Sequence, residues 1–193
     1  VTVAVITKPF FFEGASRRAI ALQGIKELED KVDSLLLISN DRLVSLVDKS
    51  MPLAKAFFLA DELLHQAVLA IIDLILRPSL VTISFADVKA IFKNAGKAFF
   101  GQGLGAGQNR AQEASLKALN SPLLENEAGP ATRILFNISA RNLKLTEIDI
   151  VAGMITKNVL PETKVIFGAR EDERLKVEEM KVTLIATGFK KQS

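Results

Sequence analysis

The strongest constraint on this sequence is a long apolar helix pattern that runs through residues 50–77. Apolar residues recur in alternating steps of four and three, the spacing of one helix face, at Leu53, Phe57, Ala60, Leu64, Ala67, Ile71 and Leu74. A second apolar flank widens this stripe, so we expect more than one layer to bury the helix. Ser50 is the expected N-cap, and Arg77-Pro78 ends the helix. At a rise of about 1.5 Å per residue the helix spans about 35 to 40 Å.

The segments on both sides of this helix alternate strands with helices. Before it, the apolar run 1–7 predicts a central parallel strand covered on both faces, and Leu35–Ile38 predicts a second buried strand. After it, strands are expected at residues 97–100, 133–138, 164–167 and 181–186. Right-handed crossovers make the first three of these parallel, and the charged stretch 170–174 predicts a solvated hairpin before an antiparallel last strand.

The predicted fold class is therefore α/β. Residues 1–49 form a truncated, Rossmann-like nucleotide-binding half, and residues 50–77 form the connecting helix. Residues 78–193 form a small mixed four-stranded sheet with flanking helices. A front half that supplies two strands also leads us to expect further strands outside this sequence.

Composition excludes several function classes. The chain has one histidine and no cysteine, which argues against zinc sites, and we expect no bound metal in it. Its formal net charge is +3 with scattered basic residues, so we expect no nucleic-acid partner. The longest apolar run, 67–76, is far shorter than the roughly 20 residues of a membrane span. We expect a cytoplasmic protein without direct membrane insertion.

The segment Gly101–Ala106 matches the G-x-G-x-x-G/A pattern of dinucleotide-binding loops. It lies between an expected strand and an expected helix, where glycines let the backbone approach a pyrophosphate. The pattern also requires an acidic residue about 20 positions further on, and the next strand ends instead in Ser139-Ala140-Arg141. The sequence therefore favours a plain connection between strand and helix over a dinucleotide site.

Asp87 is the second candidate for chemistry, just beyond the long helix. Ser84-x-x-Asp87 is also a capping box, in which each side chain accepts a hydrogen bond from the backbone amide of the other residue. Taken alone, the residues leave both a helix cap and a catalytic carboxylate open. His65, on the flank of the long helix, is expected to be a packed or surface residue, because no acid–base partner can be named for it.

Eight short motifs follow one another along the chain. They are Thr7-Lys8-Pro9-Phe10-Phe11-Phe12-Glu13-Gly14, Val32-Asp33-Ser34-Leu35, Ser39-Asn40-Asp41-Arg42-Leu43, Phe85-Ala86-Asp87-Val88, Asn109-Arg110-Ala111, Ser121-Pro122-Leu123-Leu124, Phe136-Asn137-Ile138 and Ile185-Ala186-Thr187-Gly188-Phe189. In this order and spacing the chain resembles FtsZ, the tubulin-like cell-division GTPase family, over essentially its whole length. The resemblance implies that the family's N-terminal strands and phosphate-binding loop lie outside these residues. It also implies that the glycines at 101 to 107 form a structural turn.

The resemblance implies a GTPase that associates with itself into head-to-tail filaments and builds the division ring with other division proteins. GTP or GDP would be its cofactor, with Mg²⁺ in the complete protein. In that family the loop after the central helix reaches the nucleotide of the next subunit, so hydrolysis occurs across the contact. Phosphoryl transfer mainly needs positioning and charge stabilisation, which a carboxylate from a second subunit can supply. This chain alone is expected to be inactive.

The family's binding residues carry over to five positions. By resemblance, Glu13 and Arg17 match contacts to the sugar side of the nucleotide, and Asn40 matches a contact to guanine. Phe57 matches an aromatic residue that packs on the base. Glu62 falls where the family usually has Asn or Asp to recognise the guanine edge.

The loop at 78–87 departs from the family pattern Asn-x-Asp-Phe-Ala-Asp, because this chain has Thr82-Ile83-Ser84-Phe85-Ala86-Asp87. Asp87 keeps one of the family's two carboxylates, while Thr82 and Ser84 occupy the degenerate positions. Two functions are compatible with this loop. One is a diverged polymer-forming GTPase, and the other is an FtsZ-like structural protein that co-assembles without hydrolysing GTP.

Overall fold

The computed structural model describes residues 1–44, 51–121, 130–157 and 159–189. In chain order its strands and helices are β1 Val3–Lys8, α1 Ala15–Glu29, β2 Ser34–Ser39, α2 Asn40–Val44, α3 Leu53–Leu76, α4 Phe85–Phe92, β3 Gly96–Ala106, α5 Arg110–Leu119, β4 Ala131–Ala140, α6 Leu145–Thr156, β5 Lys164–Glu171 and β6 Glu179–Phe189. Single-turn 3₁₀ helices precede α1 and α5. The expected long helix is α3, whereas its expected N-cap, Ser50, lies outside the described residues.

The six strands form one mixed sheet in the order β1-β2-β3-β6-β4-β5. β1, β2 and β3 are parallel, β4 and β5 are parallel, and β6 is antiparallel to both of its neighbours. The mixed α/β architecture and the antiparallel last strand are therefore confirmed. The expected hairpin is wrong, because β6 pairs with β3 and β4 and not with β5. Most of β6 is buried, and two neighbouring strands satisfy the backbone groups on both of its edges.

The sheet continues across the segment that contains α3. Ser34 to Leu36 of β2 pair in parallel with Gly96 to Ala98 of β3. β1 is covered on both faces as expected, since Val5 packs on the side of α3 and Ile6 on the side of α1. Among the described strands it pairs with β2 alone, and its expected central position stays a prediction, because the further strands are expected outside this sequence. Apolar patterning reports which faces are covered, not how many strands lie alongside.

Helices cover both faces of the sheet. α3 and α4 pack on one face around the buried side chains of Phe92, Phe100 and Ile185. α5 and α6 pack on the other face of the C-terminal strands, and α1 covers β1 and β2. The long helix lies against the sheet through one face, where Ala60, Ala67, Ala70 and Leu74 are buried. Val68, Ile72 and Ile75 of its second apolar flank are 37 to 41% exposed, so the expected burial against more than one layer is wrong: the described strands cover one face of the helix only.

The glycine-rich segment lies mostly within a strand, which corrects the expected turn. Gly101, Gly103 and Gly105 belong to β3 and share one face at the two-residue period of a strand. A methyl group on any of them would overlap a carbonyl oxygen of α5. Gly107, with φ +74°, occupies the turn itself. Because α5 fills the space above these glycines, a pyrophosphate has no room there.

The charged stretch 170–174 was expected to be solvated, and this expectation is wrong for two of its residues. Arg170 is 4% exposed and Asp172 is 6% exposed. Arg170 donates hydrogen bonds to Asp172 and to Asp73 of α3, with N–O distances of 3.0 and 3.4 Å. Burial is tolerated because the charges are paired.

Candidate functional site

A cleft of about 330 Å³ opens beside the carboxyl ends of β1 and β2. Its lining residues are Thr7, Pro9, Glu13, Arg17, Ala21, Asn40, Phe57, Ala60 and Asp61. In parallel sheets this edge is where ligands commonly bind, since the loops that follow neighbouring strands meet there. Four of the five residues expected from the resemblance line it: Glu13, Arg17, Asn40 and Phe57.

Glu13 anchors one wall of the cleft. One of its carboxylate oxygens accepts a hydrogen bond from the Phe10 amide at 2.8 Å, and the other lies 3.1 Å from the Arg17 Nε. The Arg17 side chain is 72% exposed, so its remaining donors are open to solvent. A carboxylate oxygen has a second lone pair, and Glu13 can therefore still accept a hydroxyl hydrogen bond.

Asn40 carries an unsatisfied polar atom in this cleft. It opens α2 directly after β2 and is 7% exposed. Its Oδ1 is buried and accepts no hydrogen bond from the described residues. Buried acceptors almost always have a partner, so this atom suits a donor from a bound molecule, such as an N–H group of a base.

Phe57 presents an aromatic surface on the opposite wall. Its ring packs edge to face on Phe10, with centroids 5.2 Å apart and an interplanar angle of 86°. Phe12 stacks on Phe10 at 4.9 Å and also meets the Phe57 ring edge to face at 6.3 Å. These contacts fix the Phe57 ring, which remains 41% exposed. A fixed, partly exposed ring can pack on a planar base.

The structure places Glu62 outside this cleft, and Asp61 lines the cleft instead. Phe57 and Asp61 are four residues apart on α3 and therefore share a face, whereas Glu62 lies about 140° around the helix from Phe57. Glu62 accepts a hydrogen bond from Gln66 Nε2 at 2.9 Å, and its other oxygen lies 3.9 Å from His65 Nδ1. Asp61 was missed in the sequence, although the four-residue spacing from Phe57 was a usable signal. His65 is a surface residue, with a side chain 62% exposed.

The loop at 78–87 begins at the other end of α3. Ser84 and Asp87 form the expected capping box: the Asp87 amide donates to Ser84 Oγ at 3.1 Å, and the Ser84 amide donates to Asp87 Oδ2 at 3.0 Å. The Ser84 hydroxyl also donates to Asp87 Oδ2 at 2.6 Å. These hydrogen bonds from Ser84 lower the pKa of Asp87, so the carboxylate is ionised at neutral pH.

The rest of this loop is held against β5. Val81 and Ala169 exchange two backbone hydrogen bonds, at 3.0 and 3.2 Å. Ile83 is buried and packs over Gly168, where a methyl group would lie 2.7 Å from its Cδ1. Thr82 and Ser84 are exposed, so the loop presents them on an anchored backbone.

The cleft and the loop lie at opposite ends of α3. Fifteen residues separate Asp61 from Leu76, which corresponds to roughly 22 Å along the helix axis.

Among the described residues no group of three His, Asp or Glu side chains is arranged to hold a metal ion. None of the described helices is both long and apolar enough to cross a membrane.

Comparison with known proteins defines the class first. The chain has a TM-score of 0.75 to CetZ1 from Haloferax volcanii, at 16% identity, covering 98% of this chain and 56% of that one, a likeness of fold alone. It has a TM-score of 0.89 to an FtsZ from M. jannaschii solved as an empty dimer, at 39% identity, covering 97% of this chain and 54% of that one. The fold is therefore of the tubulin/FtsZ type.

Residues 96–190 match the FtsZ family, C-terminal domain. Over 190 residues the chain is 40% identical to the mitochondrial division protein fszA of Dictyostelium discoideum, covering 98% of this chain and 36% of that protein. The chain belongs to the FtsZ family. It spans about a third of fszA and about half of the solved FtsZ chain, and it corresponds to their C-terminal part.

Proposed function

We propose that this chain contributes the base-binding cleft and the catalytic loop of a polymer-forming GTPase that acts in division. The observation that carries the proposal is the separation of these two sites along α3. A nucleotide in the cleft cannot meet the loop of its own chain across roughly 22 Å of helix. It can meet the loop of a second copy stacked head to tail, and such a contact repeats into a filament.

The cleft fits the base and sugar of a guanine nucleotide. The unsatisfied Asn40 oxygen and the exposed Asp61 carboxylate can both accept hydrogen bonds from the N–H groups of guanine. Phe57 supplies a ring for the base, and Glu13 with Arg17 supplies an acceptor and donors for the ribose hydroxyls.

The same cleft is unsuited to the phosphates. Its lining residues carry two carboxylates and one guanidinium, so the formal net charge of the cleft is negative and repels a triphosphate. The phosphates must therefore be held by other groups of the assembled protein. Mg²⁺ prefers phosphate oxygens with one or two carboxylates, and most of its ligands would come from the nucleotide and water.

Asp87 is the proposed catalytic carboxylate. It is ionised and fixed by Ser84 through Oδ2. Its second oxygen, Oδ1, accepts no hydrogen bond from the described part of the chain and can therefore orient a water at the neighbouring subunit's nucleotide. A positioned carboxylate of this kind contributes through orientation and charge stabilisation rather than covalent chemistry. The helix cap and the catalytic role are compatible, since the cap uses Oδ2.

A second candidate function is co-assembly without hydrolysis. Thr82 and Ser84 favour it, because they stand where the family has Asn and Asp and leave one carboxylate in the loop. If the loop still supports chemistry, Thr82→Asn with Ser84→Asp should raise GTP turnover in the full-length protein by about 10² to 10³. Nucleotide affinity should not change, since the loop meets the nucleotide of another subunit. Unchanged turnover in this double variant would favour the structural function.

Mixing two inactive variants tests the shared site directly. Asp61→Ala should impair the cleft and Asp87→Ala should impair the loop, so each full-length variant alone should hydrolyse GTP slowly. In an equal mixture about a quarter of the contacts in a random filament pair an intact cleft with an intact loop. Turnover should therefore recover to about a quarter of the unmodified rate. A mixture that is no faster than either variant would contradict hydrolysis across the contact.

The division role is proposed from the likeness to fszA, which is named a mitochondrial division protein. A fluorescently tagged full-length protein should collect in a ring where a cell or an organelle divides. Position on a mitochondrion-like organelle would assign the protein to organelle division, and position at midcell to cell division. A uniform distribution during division would contradict the proposal.

A further inference from the structure

The end of α3 is joined to the C-terminal sheet by a partly buried charge cluster. Asp73, in the last turn of α3, accepts a hydrogen bond at Oδ1 from Arg77 Nε at 2.6 Å. Its Oδ2 lies 3.4 Å from the Arg170 guanidinium and 3.6 Å from that of Arg174. One carboxylate therefore joins Arg77, the residue directly after α3, to a buried arginine of β5.

Arg170 is the central member of this cluster. Its Nε donates to Ser139 Oγ of β4 at 3.0 Å, and its Nη2 donates to Asp172 as well as Asp73. It is 4% exposed, whereas the Arg174 side chain is 53% exposed. The planar guanidinium can serve these three partners at once, which a lysine ammonium on a flexible stem cannot do in the same geometry.

The cluster surrounds the anchors of the loop at 78–87. Arg77, held by Asp73, is the last residue before this loop. Ala169, which exchanges backbone hydrogen bonds with Val81, directly precedes Arg170 in β5. The backbone of the loop is therefore tied at its start to α3 and at its middle to β5, and Arg170 with Asp73 holds these two elements together.

We propose that Arg170 is a positioning residue for the loop at 78–87, acting through Asp73 to fix Thr82, Ser84 and Asp87 relative to the helix that carries the cleft. The proposal rests on the proposed function, in which this loop completes the nucleotide site of the next subunit. Positioning matters there because a displacement of about 1 Å in a reacting group can lower a rate by about a hundredfold.

Arg170→Met tests the proposal with little risk of unfolding. Asp172 keeps two hydrogen bonds from Arg174, and Asp73 keeps its bond from Arg77. Arg174→Met is the matched control, because it makes the same substitution in the same cluster and leaves the Arg170 to Asp73 contact intact. Asp73→Asn removes the charge on the other side of that contact.

Hydrogen exchange on this chain measures the anchoring. In Arg170→Met and Asp73→Asn, the Val81 amide should exchange at least about tenfold faster, while the Leu36 amide in β2 should exchange at its unmodified rate. In Arg174→Met both amides should be unchanged. Equal acceleration at Val81 and Leu36 would indicate a general loss of stability and would overturn the proposal, as would no change at Val81.

GTP turnover in the full-length protein measures the consequence for the site. Arg170→Met should lower kcat by about ten- to a hundredfold and leave nucleotide affinity unchanged. A parallel loss of affinity, or an unchanged kcat, would overturn the positioning role. An unmodified protein that assembles without hydrolysing GTP would refute the proposed function and the positioning role with it, while the exchange measurement would still decide the anchoring.

Discussion

The glycine stripe of β3 gives a prediction that separates packing from ligand binding. In Gly103→Ala the new methyl group would overlap the Ala114 carbonyl oxygen and lie 2.6 Å from the Ala118 amide nitrogen. Both obstacles are backbone atoms of α5, so no side-chain rotation relieves the overlap. The helix would have to move away by roughly 1 Å, which would loosen the close packing of Ala114 and Ala118.

The expected cost is at the upper end of the range for overpacked cores, about 3 kcal/mol. For a chain of this size that corresponds to a fall in Tm of about 6 to 12 °C. Gly153→Ala is the matched control, since Gly153 lies in the exposed part of α6 with no neighbouring atom within 4 Å. There the same methyl group should stabilise the helix by about 0.5 to 1 kcal/mol.

Urea unfolding followed by far-UV circular dichroism is the suitable assay, because the chain has neither tryptophan nor tyrosine. The midpoint should fall in Gly103→Ala and rise slightly in Gly153→Ala, with similar slopes. A free energy of unfolding within about 0.5 kcal/mol of the unmodified value in Gly103→Ala would refute the packing argument. Loss of dinucleotide binding at unchanged stability would instead revive the phosphate-loop interpretation of this segment.

Three further predictions concern charged and capping residues. Arg110 is buried and donates hydrogen bonds to both Glu147 carboxylate oxygens at 2.6 and 2.9 Å. Glu147→Ala leaves this guanidinium without its charge partner and should destabilise the chain by about 3 kcal/mol in thermal unfolding. An unchanged Tm would contradict this prediction. The hydrogen bonds from Arg174 lower the pKa of Asp172, so its contribution to stability should be present above the ordinary Asp pKa of about 3.9 and be lost as the pH falls below it. In Asp172→Asn the free energy of unfolding should therefore fall less steeply with decreasing pH in the acid range. An identical acid slope in this variant would argue against a lowered pKa of Asp172 as a source of stability. Ser84→Ala should lower stability by about 1 kcal/mol through loss of the α4 cap. The control is Ser16→Ala in the exposed part of α1, which should stay within about 0.5 kcal/mol of the unmodified chain.

Much of the fold followed from local patterns in the sequence. The four-and-three spacing of apolar residues predicted α3, and the unbroken apolar runs predicted β1 and β2, because periodicity encodes which faces of an element are buried. Short signals such as Ser84-x-x-Asp87 also translated directly into geometry. A capping box depends on residues three positions apart, so the tertiary structure has little influence on it.

The tertiary structure decided what depends on distant residues. β6 lies between β3 and β4, a pairing that no local pattern encodes. The run of charges at 170–174 predicts a solvated segment, because no partner for a buried arginine is visible nearby in the sequence. Arg170 is buried in the fold because it pairs with Asp73, which lies 97 positions away in the sequence. Glu62 and Asp61 are adjacent in sequence, and the rotation of α3 in the fold placed Asp61 in the cleft. The sequence by itself determined the elements and their buried faces, because these depend on neighbours within a few residues, whereas strand order, buried charges and the cleft depend on contacts that folding creates.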